Sequence, residues 1–257
     1  MIQTRSSFFT LDPVDSTNFY LDFNEGSGEL TAEVEVGSYT MTDIIDAIEA
    51  AMNAVGTQAY TVTFDRDARK FTISATNPFS LLVSTGTHVG NDIFSLIGFT
   101  GADRPSGTSH LANLQAGTEY VPQFWLQDFV DPLNFQKAIS STVSKTTSGD
   151  VEVVKFGIEK FYEFSIKLVT NISQGGSGFV EDDPSGVENL RAFLVFCTNK
   201  SNLEFMPDRD DKNVFFKILL ESTEQEKDGT GFKIKELYDS GLPGFFESGK
   251  LTFRLRE

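Results

Sequence analysis

The chain holds one cysteine, two histidines and 21 basic residues in 257, and each scarcity closes off a class of function. Cys197 has no internal partner for a disulfide, and because it follows the apolar run Phe193-Leu194-Val195-Phe196 it reads as a buried thiol. His88 and His110 both sit in Gly/Ser/Thr-rich surroundings, and neither has a companion at metal-ligand or catalytic-triad spacing. A zinc site built from His and Cys, or a nucleophilic triad, is therefore not expected. Against the 21 basic residues stand 37 acidic ones, a formal charge of -16, so the chain should not attract phosphate backbones. An acidic wall can still let DNA slide past without sticking. No apolar run is long enough to cross a bilayer, and residues 1–7 lack the apolar centre of a signal peptide. A soluble protein in a reducing compartment is expected.

What the chain does have is aromatic bulk. Its 25 Phe and 39% hydrophobic content are enough for a packed core, which separates it from disordered sequences. Its length allows one large all-β domain or two ordinary ones, and the punctuation of the sequence favours two.

In the first half, residues 19–24 and 30–36 are strand-like runs joined by Glu25-Gly26-Ser27-Gly28, a hairpin pattern. Thr40 or Thr42 can cap a helix in which Ile44, Ile45, Ile48, Ala51, Met52 and Val55 recur at helical spacing, ending near Gly56. Tyr60, Val62 and Phe64 alternate with polar residues, residues 65–69 turn, and Phe71, Ile73 and Ala75 alternate again. Asn77-Pro78 should break this pattern before a third strand at 79–83, and residues 91–98 suggest a brief helix. Residues 101–117 are rich in Gly, Ser, Thr and Pro without periodicity, the mark of a long connecting loop. The expected division is an α+β module with its connecting loop over 1–118, followed by a β-barrel or sandwich with a flanking helix over 119–257.

In that second unit a strand is expected over 120–130. Runs at 138–145 and 151–168, separated by the polar 146–150, read as a long hairpin. Ser185 can cap a helix carrying Val187, Leu190, Phe193, Leu194 and Cys197 on one side. Apolar segments at 203–206, 214–220 and 251–255 complete a strand-rich end.

Other constellations are weak. Asp208-Arg209-Asp210-Asp211-Lys212-Asn213 concentrates oxygen ligands but lacks the central Gly and distal Glu of the calcium loop, and reads as a solvated turn. Glu181-Asp182-Asp183 reads as an acidic surface turn. Gly175-Gly176-Ser177-Gly178 lacks the Lys-Ser or Lys-Thr that a phosphate loop needs. Carboxylate pairs for glycoside hydrolysis leave no local signature, so a hydrolase is neither indicated nor dismissed. Trp125, in Gln123-Phe124-Trp125-Leu126, reads as core before ligand platform. No catalytic, cofactor-binding or metal-ligating residue is assigned, no cofactor is expected, and the chain is not expected to be an enzyme.

The run from Tyr20-Leu21-Asp22-Phe23 through Gly37-Ser38-Tyr39-Thr40, the helix at 44–52, the strands Tyr60-Thr61-Val62-Thr63-Phe64 and Lys70-Phe71-Thr72-Ile73, then Phe79-Ser80-Leu81-Leu82 and Leu96-Ile97-Gly98-Phe99, resembles a module of tailed-bacteriophage virion proteins. It covers about a third of the chain. The second half is more loosely similar to the tail-tube type of fold found in tube, distal-tail and tail-completion proteins. The resemblance implies a structural protein of the virion tail, made in the host cytoplasm and working by ring formation with copies of itself. It would dock to other tail or connector proteins and meet DNA only as cargo in a lumen, with no membrane partner. A distal-tail or tail-tip position and a head-to-tail junction both fit. The competing expectation is a fibre or decoration module that binds a receptor or glycan.

Overall fold

A computed structural model describes residues 7–120, 134–145, 151–165, 169–170, 193–194, 197, 202–223, 233–237, 241–242 and 244–256. The expectations for residues 121–133, 146–150 and 171–192, including Trp125, the Gly175 run and the Glu181 turn, lie outside the described residues. The class is β-rich with one described full helix and three antiparallel sheets.

The first sheet gathers β2 (Tyr20–Asn24), β3 (Glu29–Glu33), β4 (Tyr60–Asp65) and β5 (Lys70–Leu81) in the order β3-β2-β5-β4. Helix α1 (Met41–Val55) packs on it because Met41, Ile44, Ile48 and Met52 recur every three or four residues and are all buried. Thr40 is the cap: its Oγ1 accepts the Asp43 N–H at 3.1 Å, while Gly56 N–H closes the other end on the Met52 carbonyl at 2.8 Å. The β4–β5 turn is made by Asp65, whose Oδ1 accepts the Asp67 and Ala68 N–H groups at 2.9 Å each.

Three local expectations need correction. Asn77-Pro78 does not break the strand: β5 runs through it, because β4 pairs only as far as Ala75 and the register with the next strand jumps from Ser74 to Phe79. Pro78 therefore sits where no ladder bond requires its missing N–H. The expected connecting loop contains β6 (Arg104–Leu111), an edge strand on β5 with Ile73 opposite His110. Its side chains are mostly exposed and polar, so it carries no apolar alternation to announce it. Residues 91–98 form turns rather than a helix, since Ile93 N–H goes to the Tyr20 carbonyl at 2.8 Å and Gly98 adopts φ +80.

The second sheet has seven strands: β1 (Ser7–Thr10), β7 (Thr118–Tyr120), β8 (Asn134–Lys145), β9 (Val151–Phe164), β11 (Leu203–Met206), β12 (Phe216–Thr223) and β15 (Leu251–Leu255), ordered β7-β1-β11-β12-β15-β9-β8. It does not close. Its outer strands are the three-residue β7 and the long β8, and among the described residues they do not pair, so of the expected barrel or sandwich the barrel is not formed. A third, small sheet joins β10 (Val169–Thr170), β13 (Ile234–Glu236) and β14 (Phe245–Ser248). Of the helix expected around 187–198, Phe193, Leu194 and Cys197 are described; they are helical and wholly buried.

Two apolar cores result. One is built by α1 and the first sheet, from Phe9 to Ala116 with Met206 added. The other holds Phe8, Tyr120, Tyr162, Phe193, Phe205 and Phe253 among its members, with Tyr120 and Phe193 stacked at 4.3 Å.

Candidate functional site

The long hairpin expected from the runs at 138–145 and 151–168 is present as β8 and β9, paired from Asn134 opposite Glu163 to Lys145 opposite Val151. Its relation to the sheet matters more than its length. On the other side of β9, β15 pairs only with residues 161–164. Among the described residues, 151–159 have β8 as their one ladder partner, so over about 30 Å, at ~3.3 Å per residue, this pair has no third described strand beside β9. The pairing steps from Ser140–Gly157 to Ser141–Lys155, leaving Phe156 as the extra residue of a bulge that adds twist midway. Among the described residues the outer edge of β8, twelve residues long, has no strand partner, and such an edge is of the kind that accepts another strand.

A polar seam ties the α1 unit to the seven-stranded sheet. Glu204, on β11, is fully buried; its Oε1 accepts Thr42 N–H at 2.8 Å and Thr42 Oγ1–H at 2.7 Å, and its Oε2 meets Arg66 Nη2 at 2.7 Å. The Arg66 guanidinium lies 4.0 Å above the Phe215 ring. Lys217 pairs with Asp43, and burial, which would raise the Asp43 carboxyl, is outweighed by that ammonium and by Thr40, leaving it below the ordinary range. Arg209 reaches Glu119 at 3.0 Å and Lys212 reaches it at 3.6 Å. The contacts of Glu204 and Lys217 join the two layers.

The residues singled out by chemistry fall apart in space. His110 is buried on β6, its Nε2 2.8 Å from the Phe79 carbonyl, and burial holds its pKa below the ordinary imidazole value. Cys197 is wholly buried, which pushes its thiol up and makes it unreactive. The Asp208 carboxylate caps its own loop by accepting Asp210 N–H at 3.0 Å. His88 is the exception. Its Nδ1 lies 3.0 Å from Oδ1 of the buried Asp22, with Glu29 beside them, a grouping hidden from sequence reasoning because His88 is far along the chain from the other two.

No helix among the described residues is long and apolar enough to cross a membrane. Comparison with known proteins finds no matching family model and no matching curated relative.

Proposed function

We propose that this chain is a structural subunit of a tailed-bacteriophage virion, a ring-forming tail component at the tip or at a junction, which acts by assembly rather than catalysis. The phage assignment rests on the sequence resemblance. The finer fold reading, a tail-tube-like sandwich flanked by a helix, goes with it: an open antiparallel sheet with a buried helical segment against its core suits that plan.

The observation that carries the assembly reading is the long β8–β9 ribbon, which over residues 151–159 has no third described strand beside β9. A two-stranded hairpin alone in water is marginally stable, and a ribbon of this length gains most by lying against a neighbour. Copies related by rotation place such an arm on the next subunit, and the contact closes into a ring when the rotation does. The -16 charge suits a lumen through which DNA passes as cargo.

The test is to remove residues 144–152 and rejoin the strands with a short turn. The full chain should form rings in negative-stain electron microscopy and light scattering, and the shortened chain should be a folded monomer by circular dichroism. An unchanged oligomer would overturn the role of the hairpin. Full-length monomers that bind cell envelopes would replace this reading with the receptor-binding module.

A further inference from the structure

Asp22 lies on β2, Glu29 opens β3, and His88 belongs to the loop after β5. Their ligand atoms all come within 4.8 Å of one another. We propose that these three side chains form a binding site for a first-row divalent metal ion, with Zn2+ the best-suited probe.

The geometry is that of ligands held ready. Two donors each ~2.1 Å from a common ion are about 3.4 Å apart at the tetrahedral angle that Zn2+ prefers. His88 Nδ1 lies 3.0 Å from Asp22 Oδ1 and 3.3 Å from Oδ2, so a small shift of the imidazole admits an ion. The imidazole is held by stacking on Tyr20, centroids 3.9 Å apart, and the His88 main-chain N–H donates to Asp22 Oδ2 at 2.7 Å. Thr31 Oγ1–H donates to Asp22 Oδ1 at 2.8 Å, the outer hydrogen bond that commonly orients a ligating carboxylate. The backbone is drawn tight behind it: a Cβ on Gly86 would sit 2.6 Å from Asp22 Oδ2.

Access is from the other side. Asp22 is 1% exposed, whereas the His88 side chain is 30% exposed and Glu29 is at the surface. The Glu29 carboxylate accepts one hydrogen bond among the described residues, from Thr87 N–H at 2.7 Å, which leaves lone pairs for an ion and a flexible side chain to swing inward. Two carboxylates and a neutral imidazole balance a divalent charge, and the imidazole favours Zn2+ and its neighbours over Mg2+ or Ca2+. Binding requires Nδ1 without its proton, so the ion takes the place of the contact between His88 and Asp22 and joins the β2–β3 hairpin to the loop.

Isothermal titration of the full chain with Zn2+ in millimolar Mg2+, with stoichiometry from native mass spectrometry, should find one ion per chain. His88→Asn and Glu29→Gln, each checked for fold by circular dichroism, should weaken Zn2+ binding at least about tenfold. Glu29 is exposed, so its variant tests the site even where His88→Asn perturbs the loop. Uptake unchanged in Glu29→Gln, or the lack of a one-to-one complex in the native chain, would overturn the proposal. Ring formation is not an outcome of this experiment, so it stands or falls apart from the assembly reading.

Discussion

Phe8 and Phe9 are adjacent in the chain and lie in different cores. Both are on β1, and the strand's alternation sends Phe8 among Phe193, Phe205 and Phe253, at 5.0, 5.0 and 5.9 Å between ring centroids, and Phe9 to the α1 side, edge-on to Phe64 at 6.3 Å. A strand buried on both faces couples the two layers. Phe8→Ala and Phe9→Ala should each destabilise by about 3–5 kcal/mol. Urea unfolding followed by near-ultraviolet and by far-ultraviolet circular dichroism should give coincident transitions in both variants. Separated transitions would show that the cores unfold independently.

Glu204 and Arg66 make the second coupling. The Glu204 side chain is fully buried and that of Arg66 is 13% exposed, so truncating either leaves a desolvated charge behind. Glu204→Ala should destabilise by about 3–5 kcal/mol, and the double change Glu204→Leu with Arg66→Met should recover much of the loss, because a well-packed apolar pair avoids the desolvation of two ions. Midpoints in urea across the double-mutant cycle measure both.

Gly117 and Gly101 both adopt left-handed backbone, φ +64 and +82, but only the first is enclosed. A Cβ at 117 would collide with the Met41 methyl and lie 2.5 Å from the Thr10 carbonyl oxygen, while one at 101 meets open space. Gly117→Ala should cost about 3 kcal/mol or more, from strain and overpacking together. Gly101→Ala should cost only ~1 kcal/mol, the backbone penalty. Thermal unfolding of the two variants side by side is the check.

His110 makes the fold acid-sensitive. Its folded pKa is lowered, chiefly by burial, so the unfolded chain takes up a proton at a higher pH than the folded one. Stability from this group is intact above the ordinary value of 6.5 and is lost as pH falls below it through the folded value. His110→Gln, which keeps a donor for the Phe79 carbonyl, should flatten the part of the stability curve just below pH 6.5. Urea midpoints at successive pH values measure the slope, and equal slopes in the two proteins would exclude His110 as the cause.

The elements written in local chemistry were legible in the sequence. Helix α1 follows from a Thr40 or Thr42 cap, of which the structure uses Thr40, from the spacing of Ile44, Ile48 and Met52, and from a Gly56 stop, all interactions within a few residues, although Val55, expected on the same face, is exposed. Strands β4 and β5 follow from alternation over Tyr60, Val62, Phe71 and Ile73, and the turn between them from Asp65. Hairpin partners joined by short turns were legible as well, β2 with β3 and β8 with β9, but long-range partners were not, because apolar alternation records which face is buried and not which distant strand lies alongside. The placing of Ser7–Thr10 between Thr118–Tyr120 and Leu203–Met206, the recruitment of the polar Arg104–Leu111 as a strand, the open edge in place of a closed barrel, and the meeting of Asp22, Glu29 and His88 were decided by the path of the whole chain. Backbone hydrogen bonds are the same for every residue type but proline, so long-range pairing leaves its trace in the tertiary structure alone.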